Sequence, residues 1–554
     1  MGLAEPLPVE AVAEQLGLGP DDIELHGRHR AKVTTVMADG PCTPGAGLGP
    51  GPEGDDGCGR LVLVTATTPG RRSAGKTVTA LGLGMGLARL GRRGVVTLRQ
   101  SALGPTLGSK GGGAGGGAAR IEPFVDSLLG LGADTFAVES AHNLLAAALE
   151  DALHRGRDVD PGSVAWRRVV DMDDRSLRAV RVGMGATDGP PRDSGFDITA
   201  ASEVMAILAL CRNLADMRTR LAAVVPARRT DGTPLTAGDL EVAGAMAVVL
   251  REAYAPNLLQ SSEGTPVLVH TGPFGNIAPG CSSVVADRLA LGRAEYVVTE
   301  AGFGADLGAE NFVHLKSPLL GRGPDAAVLV ATVGCLREHG GGDADRPDPD
   351  AVRAGCSNLR RHVATMLGFG IPTVVSVNRH PDDDEAEIAV VAAEAGEAGA
   401  ATAVHDAFAD GGAGCEALAA AVVDAAARPS TLRPLVARDA PVADKVETIA
   451  TRIYGAGAVE WSAPAAETLA RLVADGFGHL PVCMAKTHLS LSHDRTLLGA
   501  PSGFTLPVAE IRLAAGAGYV TVLAGDISTM PGLPSSARFR GMDLAPDGSV
   551  SGLA

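Results

Sequence analysis

Residues 70–77, Gly70-Arg71-Arg72-Ser73-Ala74-Gly75-Lys76-Thr77, fit the pattern GxxxxGK[ST]. In a loop of this kind the glycines let backbone N–H groups converge on phosphate oxygens. The lysine neutralises the β- and γ-phosphates, and the Ser/Thr hydroxyl reaches Mg2+. That chemistry assigns Thr68, Gly70, Ser73, Gly75, Lys76 and Thr77 to a bound ATP, with Thr77 beside the metal. Farther on, Arg99 stands just upstream of a glycine-rich run from Leu103 to Gly117, and Lys110 lies inside it. Fixed cations there can hold a transferred phosphoryl group or a small carboxylate. Without the neighbouring phosphate loop, Arg99 would read as half of a surface ion pair.

Such residues need a scaffold, and the flanking sequence predicts one. LVLVTAT (61–67) is a short apolar run of the kind that forms a buried parallel strand. TVTALGLGMGLARLGRR (77–93) reads as a small-residue helix with basic residues in its last turn, and GVVTLRQ (94–100) as the next strand. This strand–loop–helix–strand order is the context the motif requires. It points to an α/β fold: a P-loop-type, doubly wound, mostly parallel sheet in a large domain, with two smaller α/β domains. Ligands in such sheets bind beyond the carboxyl ends of the strands. Further strands are expected at 294–302, 326–334 and 373–379, and helices at 204–221, 240–254 and 382–400. The expected domains are 1–360 for nucleotide, 361–440 for the acceptor side and 441–554 at the C-terminus. Residues 40–59 read as a flexible loop, and part of 116–186 is expected to pack with a smaller domain.

The chain has 554 residues, 48 Lys+Arg and 64 Asp+Glu, a formal charge of −16. That balance disfavours nucleic acid as a partner. With 73 Gly and only 3% aromatic residues, the core must be built from Ala, Val and Leu. The eight cysteines form no CxxC pair, which suggests free thiols in a reducing compartment. The first residues read as a capped helix and not as a signal peptide, and no run is long and apolar enough to span a membrane. The expectation is a cytoplasmic protein without a membrane partner.

Longer words in the sequence carry a resemblance. Lys110-Gly111-Gly112-Gly113-Ala114-Gly115-Gly116-Gly117 is similar to the glycine signature of the formate–tetrahydrofolate ligases. Val330-Ala331-Thr332-Val333-Gly334-Cys335-Leu336-Arg337-Glu338-His339-Gly340-Gly341 resembles their second signature. HGRHRAKV (26–33), GFDITAASEVMAILAL (195–210), HTGPFGNIAPGCSS (270–283), VVTEAGFGADLGAE (297–310), LPVCMAKTHLSLSHD (480–494) and GDISTMPGLP (525–534) resemble family segments in family order. The resemblance implies an enzyme that joins formate to tetrahydrofolate at the expense of ATP, through formyl phosphate. It also implies Mg2+, a monovalent cation and a homo-oligomer, tetramer or dimer. Carried over by position, Lys76 and Arg99 would be catalytic, and Arg99, Lys110 and Gly304 would hold formyl phosphate. Phe303, His380 and Phe408 would wall the folate pocket. Glu300 and Asp306 would bind Mg2+ directly or through water, or else serve as turn acids.

The departures from the family pattern lie near this site. Ser73 and Ala74 replace a Gly and a Glu, Gln100 replaces a Glu, and the stretch Asp126–Asp134 lacks an Asn and a His, with Leu128 and Gly130 inside it. Ala118 and Ala119 stand for Tyr-Gln. His380 and Phe408 replace the Phe and Trp that sandwich the pterin. Two other readings follow from these changes: a paralogue that applies acyl-phosphate chemistry to another acid or acceptor, and a non-catalytic nucleotide-binding homologue.

Overall fold

The computed structural model describes residues 5–37, 58–70, 73–108, 113–185, 187–525 and 527–553. Lys110 and the 40–57 part of the expected flexible loop lie outside them. The dominant element is a twelve-stranded sheet, ten strands of which follow one another in line. In chain order these are β1 (Ile23–Leu25), β2 (Ala31–Val33), β3 (Arg60–Ala66), β4 (Gly94–Leu98), β5 (Asn257–Ser261) and β6 (Pro266–Val269). They continue with β7 (Tyr296–Glu300), β8 (Ala326–Ala331), β9 (Thr373–Asn378) and β10 (Ala401–His405). Their spatial order is β1-β2-β5-β6-β4-β7-β3-β8-β9-β10. From β6 to β10 every pairing is parallel; β1, β2 and β5 form an antiparallel margin.

The parallel strands inside the edge strand β10 are buried on both faces because their side chains alternate between two cores. Leu61, Leu63, Val95, Leu329 and Val375 enter one apolar cluster, while Val62, Val64, Val96, Val328 and Val374 enter the other. That is why the strands read as continuous apolar runs. Helix α1 (Lys76–Arg89) covers the second face with Leu81, Leu83, Met85 and Leu87. Helix α2 is Gly132–His154. Helices α3 (Val333–His339) and α4 (Pro349–Gly368) follow β8, and α4 packs Leu359, Val363 and Met366 on the first face.

The helix expected over 204–221 is two helices, Glu203–Leu210 and Leu214–Ala222. Cys211 is extended, and the Asn213 side chain accepts the Asp216 N–H at 2.7 Å, so a new cap competes successfully with helix continuation. The 361–440 stretch contributes β9 and β10 to the large sheet and therefore shares its backbone hydrogen bonds. A separate four-stranded sheet lies in the C-terminal part: β11 (Ala458–Trp461), β12 (Val482–Ala485), β13 (Thr505–Ala514) and β14 (Tyr519–Ala524), in the order β11-β13-β14-β12. No described helix is long and apolar enough to cross a membrane. Among the described residues no two cysteines form a disulfide.

Candidate active site

The loops that end β6, β4, β7, β3, β8, β9 and β10 all leave the same edge of the sheet, and nearly every residue singled out from the sequence lies on them. After β3 the chain runs through Thr68–Gly75 into α1. Gly75 sits at the helix N-cap with φ 76, a left-handed conformation suited to glycine. A Cβ there would collide with the Asn378 side chain, whose amide donates to the Ala74 carbonyl at 3.2 Å. The loop is thereby anchored to the end of β9.

Thr68 is buried, and its groups are committed to α3 and α4. Its N–H donates to Asn358 Oδ1 (3.1 Å) and to His362 Nε2 (3.0 Å), its hydroxyl accepts from Asn358 Nδ2 (2.9 Å), and its carbonyl accepts from His339 Nε2 (3.1 Å). Thr68 thus shapes the loop's entry. The Gly70 N–H points at Cys335 Sγ, 3.2 Å away. Ser73 is exposed.

Lys76 and Thr77 open α1, where the helix dipole is positive. Burial holds the Lys76 ammonium below the ordinary lysine value; Arg99 pushes the same way, and Glu300 opposes. An ammonium so placed is poised for an anion. The Thr77 hydroxyl donates to Glu300 Oε2 at 2.7 Å, joining the first turn of α1 to the end of β7. A hydroxyl and a carboxylate side by side are hard oxygen donors, a set that fits Mg2+ completed by phosphate oxygens.

Arg99 leaves β4, and its guanidinium donates to the Pro273 carbonyl at 2.9 Å. It passes the backbone of Gly302, whose Cβ position would be 3.2 Å from Nη2. The next residue, Phe303, has φ 58, which costs a non-glycine residue on the order of 1–2 kcal/mol. Gln100 is buried, its amide donating to the Leu131 carbonyl (2.6 Å) and to Thr135 Oγ1 (3.0 Å). In place of a charge, this position therefore ties β4 to α2.

The remaining acidic and aromatic candidates follow β7, β9 and β10. Asp306 Oδ2 accepts from the Lys486 ammonium at 2.6 Å in a buried ion pair, while Glu300 accepts the Thr77 hydroxyl. Phe303, His380 and Phe408 leave three different strands of the large sheet. Phe303 follows β7, four strands from β10, a separation of roughly 19 Å at the strand ends. His380 and Phe408 follow the neighbouring strands β9 and β10. Phe408 is 59% exposed and lies on the second glycine run: its carbonyl accepts the Ala118 N–H at 2.8 Å, and a Cβ at Gly117 would collide with that carbonyl. The glycines of 115–117 therefore let one loop lie flat against the turn that carries Phe408. His380 is half-buried, and its Nε2 is buried without a hydrogen-bond partner among the described residues.

Sequence reasoning gave no role to Asn358, His362, His339, Lys486 or His488. The words ending in Arg337-Glu338-His339 and containing Lys486-Thr487-His488 were present, but nothing local told what they touch. His488 stacks on Phe303 with ring centroids 4.5 Å apart.

The sequence profile described as "Formate--tetrahydrofolate ligase" matches residues 3–554. Proteins of that name share 50% identity with the chain in Roseiflexus sp. (strain RS-1) and 49% in Paracoccus denitrificans (strain Pd 1222). Each match spans 99% of this chain and 98% of the relative. The counterpart in Saccharopolyspora erythraea is 48% identical over 99% of the chain and 97% of its own length. A GxxxxGK[ST] loop, a strand-end arginine and the Gly302–Gly304 loop share one sheet edge, and a chain matched from end to end leads to one assignment: the chain belongs to the formate–tetrahydrofolate ligase family.

Proposed function

We propose that the protein is an ATP-dependent formate–tetrahydrofolate ligase. Formate is a poor electrophile because its charge is shared by two oxygens. One of these oxygens attacks the γ-phosphorus; the bond to the β–γ bridging oxygen breaks, and ADP leaves. In the formyl phosphate so formed, phosphate is a leaving group. N10 of tetrahydrofolate attacks the formyl carbon, the carbon–oxygen bond to phosphate breaks, and N10 loses its proton. The protein's work is positioning and charge neutralisation.

In this reading the amides of 70–77 and Lys76 hold the phosphates, and Lys76 and Arg99 neutralise the transferred group. Arg99 and the Gly302–Gly304 backbone seat the acid, with Lys110 contributing charge from the second glycine run. Mg2+, when bound, lowers the charge on the β- and γ-oxygens; Thr77 and Glu300 would hold it, directly or through water. Phe303 walls the acid, while His380 and Phe408 face the pterin from across the phosphate loop. Residues 361–440 form the acceptor side of the large unit, and 441–554 a second unit. A monovalent cation, a cytoplasmic setting (favoured by the free thiols) and a homo-oligomer, tetramer or dimer, complete the reading.

The observation that carries it is the 2.7 Å contact between Thr77 and Glu300, with Lys76 beside Thr77 at the start of α1 and Arg99 just past the end of β4, the strand next to β7. The decisive assay is ADP release with formate, with and without tetrahydrofolate. ADP formation is expected to require formate and to match 10-formyltetrahydrofolate in amount. Nucleotide binding without formate-dependent ADP release would refute it.

Two variants test the finer roles. Glu300→Gln is expected to raise the Mg2+ concentration for half-maximal rate about tenfold or more, seen in a Mg2+ titration at saturating ATP. An unmoved midpoint removes Glu300 from the metal. His380→Phe replaces a ring carrying an unpartnered nitrogen by an apolar one. It is expected to lower the tetrahydrofolate KM by about two- to tenfold. An unchanged KM places His380 outside the pterin pocket.

A further inference from the structure

From β12 the chain leaves the C-terminal sheet and runs against the loop that follows β7. Lys486 is fully buried there. Besides Asp306, its ammonium donates to the Ser490 carbonyl (2.6 Å) and the Thr487 carbonyl (3.2 Å), and it lies 4.8 Å from the centre of the Tyr454 ring. Two residues later the His488 ring meets Phe303, the planes 34° apart. On another side of Phe303, a Cβ on Gly275 would come within 2.9 Å of Phe303 Cδ2, so the ring also packs against that backbone. A Cβ on Gly304 would collide with Asp306 Oδ1, so the carboxylate held by Lys486 also presses on the loop.

The same few residues are thus gripped at two points from one distant segment. Between the grips lies Phe303, whose left-handed backbone persists only where its surroundings over-determine it. Immediately before it lies Gly302, against which the Arg99 guanidinium rests.

We propose that residues 486–490 are a positioning element for the acid-binding loop 302–306, with Lys486 fixing Asp306 and His488 fixing Phe303. Neither acts on the reacting atoms. His488 sets the wall of the acid pocket by holding a strained aromatic residue in place, which makes the C-terminal unit a determinant of acid binding. The proposal rests on the reading of this loop as the acid site.

The test uses the full-length enzyme. His488→Ala is expected to raise the formate KM by about five- to tenfold. ATP affinity, measured by nucleotide binding without formate, stays within about twofold, and the melting temperature stays near that of the wild type. His488→Phe, which keeps a ring, is expected to restore most of the formate KM. A paired replacement, Lys486→Met with Asp306→Asn, leaves neither charge buried alone and is expected to raise the formate KM in the same selective way; should it fail to fold, the His488 variants decide. An unchanged formate KM in His488→Ala, a parallel loss of ATP and formate binding, or no recovery in His488→Phe overturns the proposal. A wild-type enzyme without formate-dependent ADP release fails the acid-site reading itself and this inference with it. An active wild type with unmoved variants fails the inference alone.

Discussion

Lys76→Ala is expected to reduce formate-dependent ADP release by about a thousandfold or more, while the protein stays folded. The size follows from what the ammonium does. In the proposed role it neutralises charge on a phosphoryl group, and removing one such group typically costs a factor of a hundred to several thousand or more. The sign of the stability change is less obvious and equally testable. Burial, aided by Arg99, disfavours the charged form of Lys76 in the ligand-free protein. The free enzyme therefore carries an electrostatic penalty that a bound triphosphate relieves. Lys76→Ala should leave the melting temperature of the ligand-free protein unchanged or slightly higher, and should remove most of the increase that ATP gives the wild type. Steady-state ADP release and thermal melts with and without ATP check both halves. A folded variant whose turnover lies within tenfold of the wild type contradicts the role of Lys76.

The second large effect is acid sensitivity between about pH 6.5 and pH 4. Burial holds His142, His362 and His405 down to about 4 and His270 to about 3, against an ordinary value of 6.5. Each ring has a nitrogen placed to accept. His270 Nε2 donates to the Ala253 carbonyl at 2.8 Å, and its Nδ1 takes the Ser283 hydroxyl at 2.6 Å. His142 has the same arrangement with the Arg167 carbonyl and Ser202. His362 Nε2 accepts the Thr68 N–H, and His405 Nδ1 accepts the Ala407 N–H. A proton on the accepting nitrogen ends its acceptance of these O–H and N–H groups, while the Nε2 bonds to the Ala253 and Arg167 carbonyls persist.

The direction follows from linkage. Above pH 6.5 the rings are neutral in both states and cost nothing. As pH falls below 6.5 the unfolded chain takes up protons that the folded protein refuses, so stability drops until the folded values near 4 are reached. Each ring contributes a loss of about 3 kcal/mol over that window. Burial raises Glu203 to about 7 and Asp171 to about 6, which works in the opposite direction and offsets under half. The net loss is on the order of 5–10 kcal/mol, comparable with the whole stability of a typical domain. Circular dichroism and urea midpoints between pH 7 and pH 4 should show a steep decline. Native structure with an undiminished urea midpoint at pH 4 would show that these rings are not buried as neutral acceptors.

Much of this protein is written locally. The runs at 61–67, 94–100, 326–334 and 373–379 became strands within two or three residues of the expected ends. A strand buried on both faces needs apolar residues at every position, and that demand is visible in a short window. The loop from Gly70 to Thr77 was legible for the same reason: strand, glycines, lysine and helix start are contiguous. Arg99 followed because it ends the next strand. The break at Cys211 was less legible, since it depends on whether Asn213 caps a new helix or continues the old one.

What tertiary structure alone decided is which distant residues complete the site. The partner of the Thr68 amide, His362, lies 294 positions along the chain, and Lys486 reaches Asp306 across 180. Strand order, which no local pattern encodes, set the strand before Phe303 beside the strand before Arg99 and put the strand before Phe408 at the edge of the sheet. Hydrogen-bonding chemistry near a backbone group and the period of apolar residues act over a few positions, so the sequence exposes them directly. The order in which parallel strands assemble is fixed by crossover connections and by two shared cores, a property of the whole packed chain.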